Sequence, residues 1–219
     1  MDKKIKNVIL STAKDLPCDT MKILTECNLA QLVVDILAGQ TVVFPTETSY
    51  GLGCDATNQK SVDTIFKIKG RSSDKPLLVV VPNIEMAKKY VVWNETLEKI
   101  AQQYWPGAVT VVGAYGGGGL AQGVVAKDNT VAVRVTANPL LQSITEKMGR
   151  PLVATSANVS DAGDIYASAA AIEMFKPREV QPDIILNFGE LPKNPPTTIV
   201  GIVGGKATIL RQGSVKIGI

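Results

Sequence analysis

The chain contains no histidine. The commonest general base, and the commonest nitrogen ligand for metals, are therefore missing from every mechanism open to it. Cysteine is scarce: Cys18, Cys27 and Cys54 make an odd number with no Cys-x-x-Cys spacing. Neither a disulfide framework nor a protein-held metal is expected, and reduced thiols fit a cytoplasmic protein. No apolar run approaches the ~20 residues of a membrane span. The charged start Met1-Asp-Lys-Lys-Ile-Lys6 has no signal-peptide h-region after it. Aromatic residues make up only 5% and the net charge is +3, which argues against an RNA-tracking groove and remains compatible with anionic substrates. What is present is an ordinary globular composition, 45% hydrophobic and 20% charged over 219 residues, with ample length for one core.

Helical and strand periods alternate along the chain without repeats. Residues 1–25 carry little pattern: a strand is expected at Val8–Leu10 and a turn near Pro17. Leu29, Leu32, Val33, Ile36 and Leu37 then fall on one helical face, with Gly39 as the stop. Strands are expected at 41–44, 77–81, 109–113, 130–135, 152–154, 183–186, 197–203 and 206–211, the last two joined by Gly204-Gly205 as a hairpin turn. Helices are expected at 61–69, 83–90, 94–104 and 167–175, and from Asn138-Pro139 to Gly149. The run Tyr115-Gly-Gly-Gly-Gly119 reads as a loop without chemistry, since no helix start follows it. This mixture predicts a single α/β domain.

Several polar residues interrupt the apolar pattern. The stripe Val62, Ile65, Phe66 continues onto Lys69, which Gly70 follows as a helix stop, with Arg71 and Lys75 on the exit loop. A cation turned inward beside two others suits a site for negative charge. A lysine snorkelling at a helix C-terminus, where the dipole favours it, accounts for Lys69 equally well. In Thr130–Val135 the valines share one face while Thr130, Ala132 and Arg134 share the other. Arg134 needs a partner, either a substrate carboxylate or a protein Asp or Glu.

Phe44-Pro-Thr-Glu-Thr-Ser-Tyr-Gly-Leu-Gly53 follows a strand and offers hydroxyls to orient a ligand and glycines to let backbone approach it, or else is an ordinary loop. Ser156 and Asn158 lie just past a strand, where α/β sheets commonly place ligands, although a plain Asx turn is the alternative. Ser156 has no histidine to activate it and no Gly-x-Ser-x-Gly elbow, so it is read as a hydrogen-bonding group. This set of Lys, Arg, Ser, Thr and Asn suits positioning and neutralising anions, as in phosphoryl or nucleotidyl transfer. No Walker A motif is present.

Pro45-Thr-Glu-Thr-Ser-Tyr-Gly-Leu-Gly53, Lys69-Gly-Arg71 with Lys75-Pro-Leu77, Trp105-Pro-Gly107, Val131-Ala-Val-Arg134 and Ser156-Ala-Asn158 occur in that order. The chain thereby resembles the YrdC/TsaC family, the L-threonylcarbamoyladenylate synthases, from about residue 28 to 212. The resemblance implies a single-domain YrdC-like fold over 26–219, a twisted mixed sheet with flanking helices around a concave basic cavity, after an extension at 1–25. It implies that L-threonine, bicarbonate and ATP, accompanied by Mg²⁺, give threonylcarbamoyl-AMP and pyrophosphate. The product would pass to a downstream threonylcarbamoyl-transfer complex for N6-threonylcarbamoyladenosine in tRNA, with at most weak contact to tRNA itself and none to a membrane.

By position, the resemblance makes Lys69 and Arg71 catalytic. It gives ATP to Arg71, Lys75, Thr130, Ser156, Asn158 and Arg211, and threonine to Thr48, Tyr50, Arg134 and Thr197. Pro196-Thr197-Thr198 departs from the Ser-Thr pair of the synthases and resembles a YciO-like branch; that branch tends to lose Lys-x-Arg and Ser-x-Asn, both intact here. Val80 also stands where a histidine is often found. The extra C-terminal domain of longer synthases is expected to be missing. The rival readings are a YrdC-like RNA-binding, translation-associated module without catalysis, and a paralogue acting on another acceptor.

Overall fold

Asparagine starts five of the six helices in the computed structural model, which describes residues 21–160 and 162–218. The side chains of Asn28, Asn58, Asn83, Asn94 and Asn138 accept from backbone N–H groups of the first turn, at 2.9–3.2 Å. These caps open α1 (Leu29–Leu37), α2 (Gln59–Lys69), α3 (Ile84–Ala87), α4 (Glu95–Tyr104) and α5 (Pro139–Met148). Each satisfies N–H groups that a helix start leaves orphaned, worth ~1 kcal/mol apiece. The sixth helix, α6 (Ser168–Phe175), lacks a side-chain cap. Gly70 and Gly149 end α2 and α5 in the left-handed conformation, at φ 57° and 63°. α1 ends at Leu37 with Ala38 as its C-cap, and Gly39, the expected stop, turns the chain away at φ 101°.

The strands form two mixed sheets where one was expected. The first contains β1 (Lys22–Leu24), β2 (Val42–Pro45), β3 (Tyr50–Gly53), β8 (Thr155–Ser156) and β9 (Ile184–Leu186), in the order β1-β9-β2-β3-β8. The second contains β4 (Val79–Val81), β5 (Val109–Ala114), β6 (Thr130–Val135), β7 (Leu152–Val153), β10 (Thr198–Val203) and β11 (Lys206–Arg211), in the order β11-β10-β5-β6-β4-β7. The strand expected at 152–154 forms as Leu152–Val153 in the second sheet, and past its expected end Thr155 and Ser156 cross to the first as a strand that was not expected.

Two further strands were not legible as such. β1 lies within the stretch read as an extension and pairs in parallel with β9, Lys22 opposite Ile184. The strand expected at 8–10 and the turn near Pro17 lie outside the described residues. β3 was read as loop, yet it runs antiparallel to β2, with Pro45 opposite Tyr50 and Val42 opposite Gly53. Its alternation is hidden because all four residues are buried and two are glycines. Gly53 is required there: a Cβ would lie 1.9 Å from the Val153 carbonyl oxygen. The close approach that this glycine permits is to the protein's own backbone.

Two apolar clusters fill the fold. Leu32, Val33 and Ile36 of α1 pack with Leu141 and Ile144 of α5 over Val42 and Phe44 of the first sheet and Val80 of the second, which ties the sheets together. The larger cluster takes Val62, Ile65 and Ile68 of α2 and the inward valines of β5 and β6. Each such side chain, fully buried, contributes roughly 1.5–3 kcal/mol. Phe66, expected in the α2 stripe, is only partly buried, and Ile68 is in the core. Among the described residues, no helix is long and apolar enough to cross a membrane.

Candidate functional site

The second sheet turns its valine face to the core and leaves small residues on the other. Val109, Val111, Val131 and Val133 are buried in the larger cluster, while Thr110, Val112 and Ala132 line a cavity of about 450 Å³. The β2–β3 turn, the loop after α2, β8 and the ends of β10 and β11 complete the wall, so both sheets contribute. Seven of the eleven residues nominated from the sequence line this one cavity: Thr48, Tyr50, Arg71, Arg134, Ser156, Thr197 and Arg211. Lys69, Lys75, Thr130 and Asn158 do not line it.

Lys69 is neither a snorkelling surface residue nor a side chain bared to the cavity. It is 1% exposed, and its Nζ donates to the Ser156 carbonyl at 2.6 Å, the Asn158 carbonyl at 2.8 Å and Asn158 Oδ1 at 2.9 Å. These are the three bonds an ammonium can make. Asn158 Oδ1 also accepts from Ser156 Oγ at 2.6 Å, Asn158 Nδ2 donates to the Gly163 carbonyl, and the Ser160 N–H bonds the Lys69 carbonyl. Lys69 and Asn158 thus sit directly behind Ser156 and hold it against the cavity. Burial, with Arg71 adding repulsion and Asp164 opposing, lowers the Lys69 pKa from 10.5 to about 8.

Arg134 finds its partner in Glu47, an alternative the sequence left open. The Arg134 Nη1 donates to Glu47 Oε1 within an ion pair, the arginine 3% exposed on β6 and the glutamate on the β2–β3 turn. Burial depresses the guanidinium pKa and the Glu47 charge opposes this, so the group stays cationic. The turn itself is set by Thr46, whose Oγ1 accepts from the Thr48 and Ser49 N–H groups and donates to the Ser49 carbonyl at 2.7 Å. Thr48 Oγ1 lies 3.1 Å from that hydroxyl. Tyr50 reaches the lining from β3, but its phenol is already occupied: it donates to the Gly189 carbonyl and accepts from the Phe188 N–H.

The hairpin expected around Gly204-Gly205 forms, with Val203 opposite Lys206 and, past a bulge, Ile199 opposite Arg211. This pairing brings Arg211 onto Thr197, where its Nη2 donates to the carbonyl at 2.9 Å, and Thr110 Oγ1 meets Thr197 Oγ1 at 3.2 Å. Thr130 stands at the far end of β6, bonded to Asp128 at 2.7 Å. Lys75 is exposed, and its carbonyl accepts from Arg71 Nε at 3.1 Å.

Thr46, Glu47, Thr110 and Asp164 are among the polar residues of the site that were not singled out from the sequence. Thr46 and Glu47 lay inside the quoted Pro45–Gly53 motif without a role, although a Thr-x-x-Ser turn was a local signal for Thr46. Asp164 and Thr110 line the cavity and carried no signal beyond position: one is in a polar loop, the other on an apolar strand. Among the described residues, no group of three His, Cys, Asp or Glu side chains is placed to hold a metal ion.

The family model Sua5_yciO_yrdC, described as "Telomere recombination", matches residues 35–213. A threonylcarbamoyl-AMP synthase of Blochmanniella pennsylvanica is 34% identical over 144 residues, covering 64% of this chain and 74% of its own. Pyrococcus abyssi Sua5, solved in complex with L-threonine, superposes with a TM-score of 0.79 at 28% identity, over 89% of this chain. This chain spans 57% of that one. Escherichia coli YciO shares the fold, with a TM-score of 0.74 at 21% identity over 89% of this chain and 95% of its own. By its motifs, by the two-sheet fold and by this match over most of its length, the chain belongs to the Sua5/YciO/YrdC family.

Proposed function

We propose that the protein is a threonylcarbamoyl-AMP synthase, joining L-threonine, bicarbonate and ATP to form threonylcarbamoyl-AMP and release pyrophosphate. The observation that carries this reading is the convergence on one cavity of three arginines with the hydroxyls of Thr48, Ser156 and Thr197. They come from segments spread over 163 residues of chain and both sheets. The domain is taken as 26–219; the pairing of β1 with β9 supports counting residues 22–24 with it.

In this reading the threonine amine and bicarbonate give a carbamate, whose oxygen attacks the α-phosphate of ATP and expels pyrophosphate. Arg71 and Arg211 neutralise charge on the phosphates, which costs least where positive groups are already fixed. Ser156, whose hydroxyl proton goes to Asn158 Oδ1, is left to accept at the nucleotide, held in place by Asn158 and Lys69. Lys75 and Thr130 stand as outer contacts to ATP, and Lys75 would need its side chain to swing inward. Thr48, Thr197 and the Tyr50 backbone frame the amino acid, with Arg134 on its carboxylate. Mg²⁺ accompanying ATP would help neutralise the phosphates, and Asp164, which lines the cavity, is the carboxylate that would face it. The product would be handed in the cytoplasm to a threonylcarbamoyl-transfer complex acting on tRNA.

The test is purified protein with ATP, bicarbonate and a panel of amino acids, following pyrophosphate release. Release that depends on threonine is expected. Release with no threonine dependence would sink the proposal in favour of a paralogue using another acceptor; no release, with tight salt-sensitive RNA binding, would favour a binding module.

A further inference from the structure

The Arg134–Glu47 pair is incomplete in an informative way. A guanidinium and a carboxylate can form two parallel hydrogen bonds, and the fork geometry favours doing so. Here Glu47 uses Oε1 alone, on Nη1. Its Oε2 and the Arg134 Nε are both buried without a hydrogen-bond partner. Leaving such groups unpaired is costly, which marks Glu47 as an imperfect partner for this arginine.

The two partners also differ in how firmly they are held. Arg134 lies on a central strand, paired on both sides by β5 and β4, and is 4% exposed through its side chain. Glu47 lies on the turn between β2 and β3 and its side chain is 22% exposed. The backbone of that turn is anchored independently: the Thr46 hydroxyl ties it from within, and Asn194 Nδ2 donates to the Glu47 carbonyl at 2.9 Å. The Glu47 side chain can therefore swing while the turn stays in place. Arg134 itself lines the cavity, alongside Thr48 and Thr197.

We propose that Glu47 is a specificity-determining latch: its carboxylate occupies Arg134 in the ligand-free protein and must give way to the carboxylate of an incoming free amino acid. This rests on the function proposed above, and adds to it an internal competitor. A ligand carboxylate arriving from the cavity gains Nε as well as an Nη, completing the fork that Glu47 leaves half made. An amine without a carboxylate has nothing to offer in exchange and leaves the latch shut. The cavity thereby rejects simple amines by a contact already made within the protein, a form of discrimination built from a competing attraction.

The experiment is calorimetric titration of the full chain and its Glu47→Gln and Glu47→Asp variants with L-threonine and with L-threoninamide, which lacks the carboxylate. Thermal melts verify that each variant is folded; Glu47→Asp keeps the charge but shortens its reach. Weakening the competitor should tighten L-threonine binding about fivefold, the scale of a partly exposed ion pair. Binding of L-threoninamide should gain no comparable factor. In turnover, the KM for threonine should fall by a larger factor than kcat or the KM for ATP changes. A fixed structural partner predicts the reverse, a rise in that KM. Unchanged or weaker threonine binding by both variants, with the wild type binding normally, overturns the latch alone. Failure of all three proteins to bind threonine, together with no threonine-dependent pyrophosphate, overturns the latch and the proposed function together.

Discussion

Replacing Lys69 by methionine will flatten a rise of stability with pH that the wild-type protein owes to one buried amine. The unfolded chain holds the Lys69 proton up to about pH 10.5, whereas the folded protein releases it near 8. Between those values the unfolded state binds more protons, so stability increases as pH rises through the window. Below 8 both states are protonated, and the fold carries the full penalty of a buried cation. The gap from 10.5 to about 8, at ~1.36 kcal/mol per pH unit, amounts to roughly 3 kcal/mol between pH 7 and 11. The side chain is 1% exposed, so solvent screening takes little from this. Methionine preserves the buried stem and deletes the charge. It also strands the Ser156 and Asn158 carbonyls, at a cost of ~1–3 kcal/mol each that does not vary with pH. Urea unfolding of both proteins at pH 7, 8, 9 and 10 isolates the difference, because all other titrating groups are shared. The wild type should gain on Lys69→Met steadily from 8 upward. Parallel curves would refute the assignment and mean that the three hydrogen bonds to Nζ keep the ammonium charged throughout.

Two further outcomes can be checked. Anions placed beside Arg71 favour the protonated Lys69, so ATP binding near pH 8 should draw up part of a proton; calorimetry in buffers of different ionisation enthalpy reads this directly, and no buffer dependence would count against a link between Lys69 and the nucleotide. Gly53→Ala should cost about 1–3 kcal/mol or more in denaturant melts, because the added carbon meets the Val153 carbonyl, whereas Gly70→Ala faces open space and pays only ~1–2 kcal/mol for its left-handed backbone.

Local pattern carried most of the architecture. Asn138-Pro139 was legible as a helix start, one of five asparagine caps that the fold uses, and the alternation of Thr130–Val135 separated the valines from Thr130, Ala132 and Arg134. β1 and β3 escaped because a three-residue strand offers no period, and because glycines replaced the residues that would have shown one. The order of the motifs was enough to point to the family, since those segments stay recognisable wherever the chain folds them. The absence of histidine, likewise legible at once, confined the chemistry to charge and position.

Where the nominated side chains point was decided only by packing. Lys69 stood out in the sequence as a cation inside an apolar stripe, but its partners lie 87 and 89 residues away, on a segment that crosses from one sheet to the other. That crossing turns the amine onto Ser156 and Asn158 rather than into the open cavity. Arg134 had two candidate partners in the sequence. The choice fell to Glu47, also 87 residues away, because the β2–β3 turn of the first sheet overhangs β6 of the second. Hydrogen bonds and ion pairs are satisfied by whatever polar group the fold brings within ~3 Å, and nothing local in the chain specifies that neighbour.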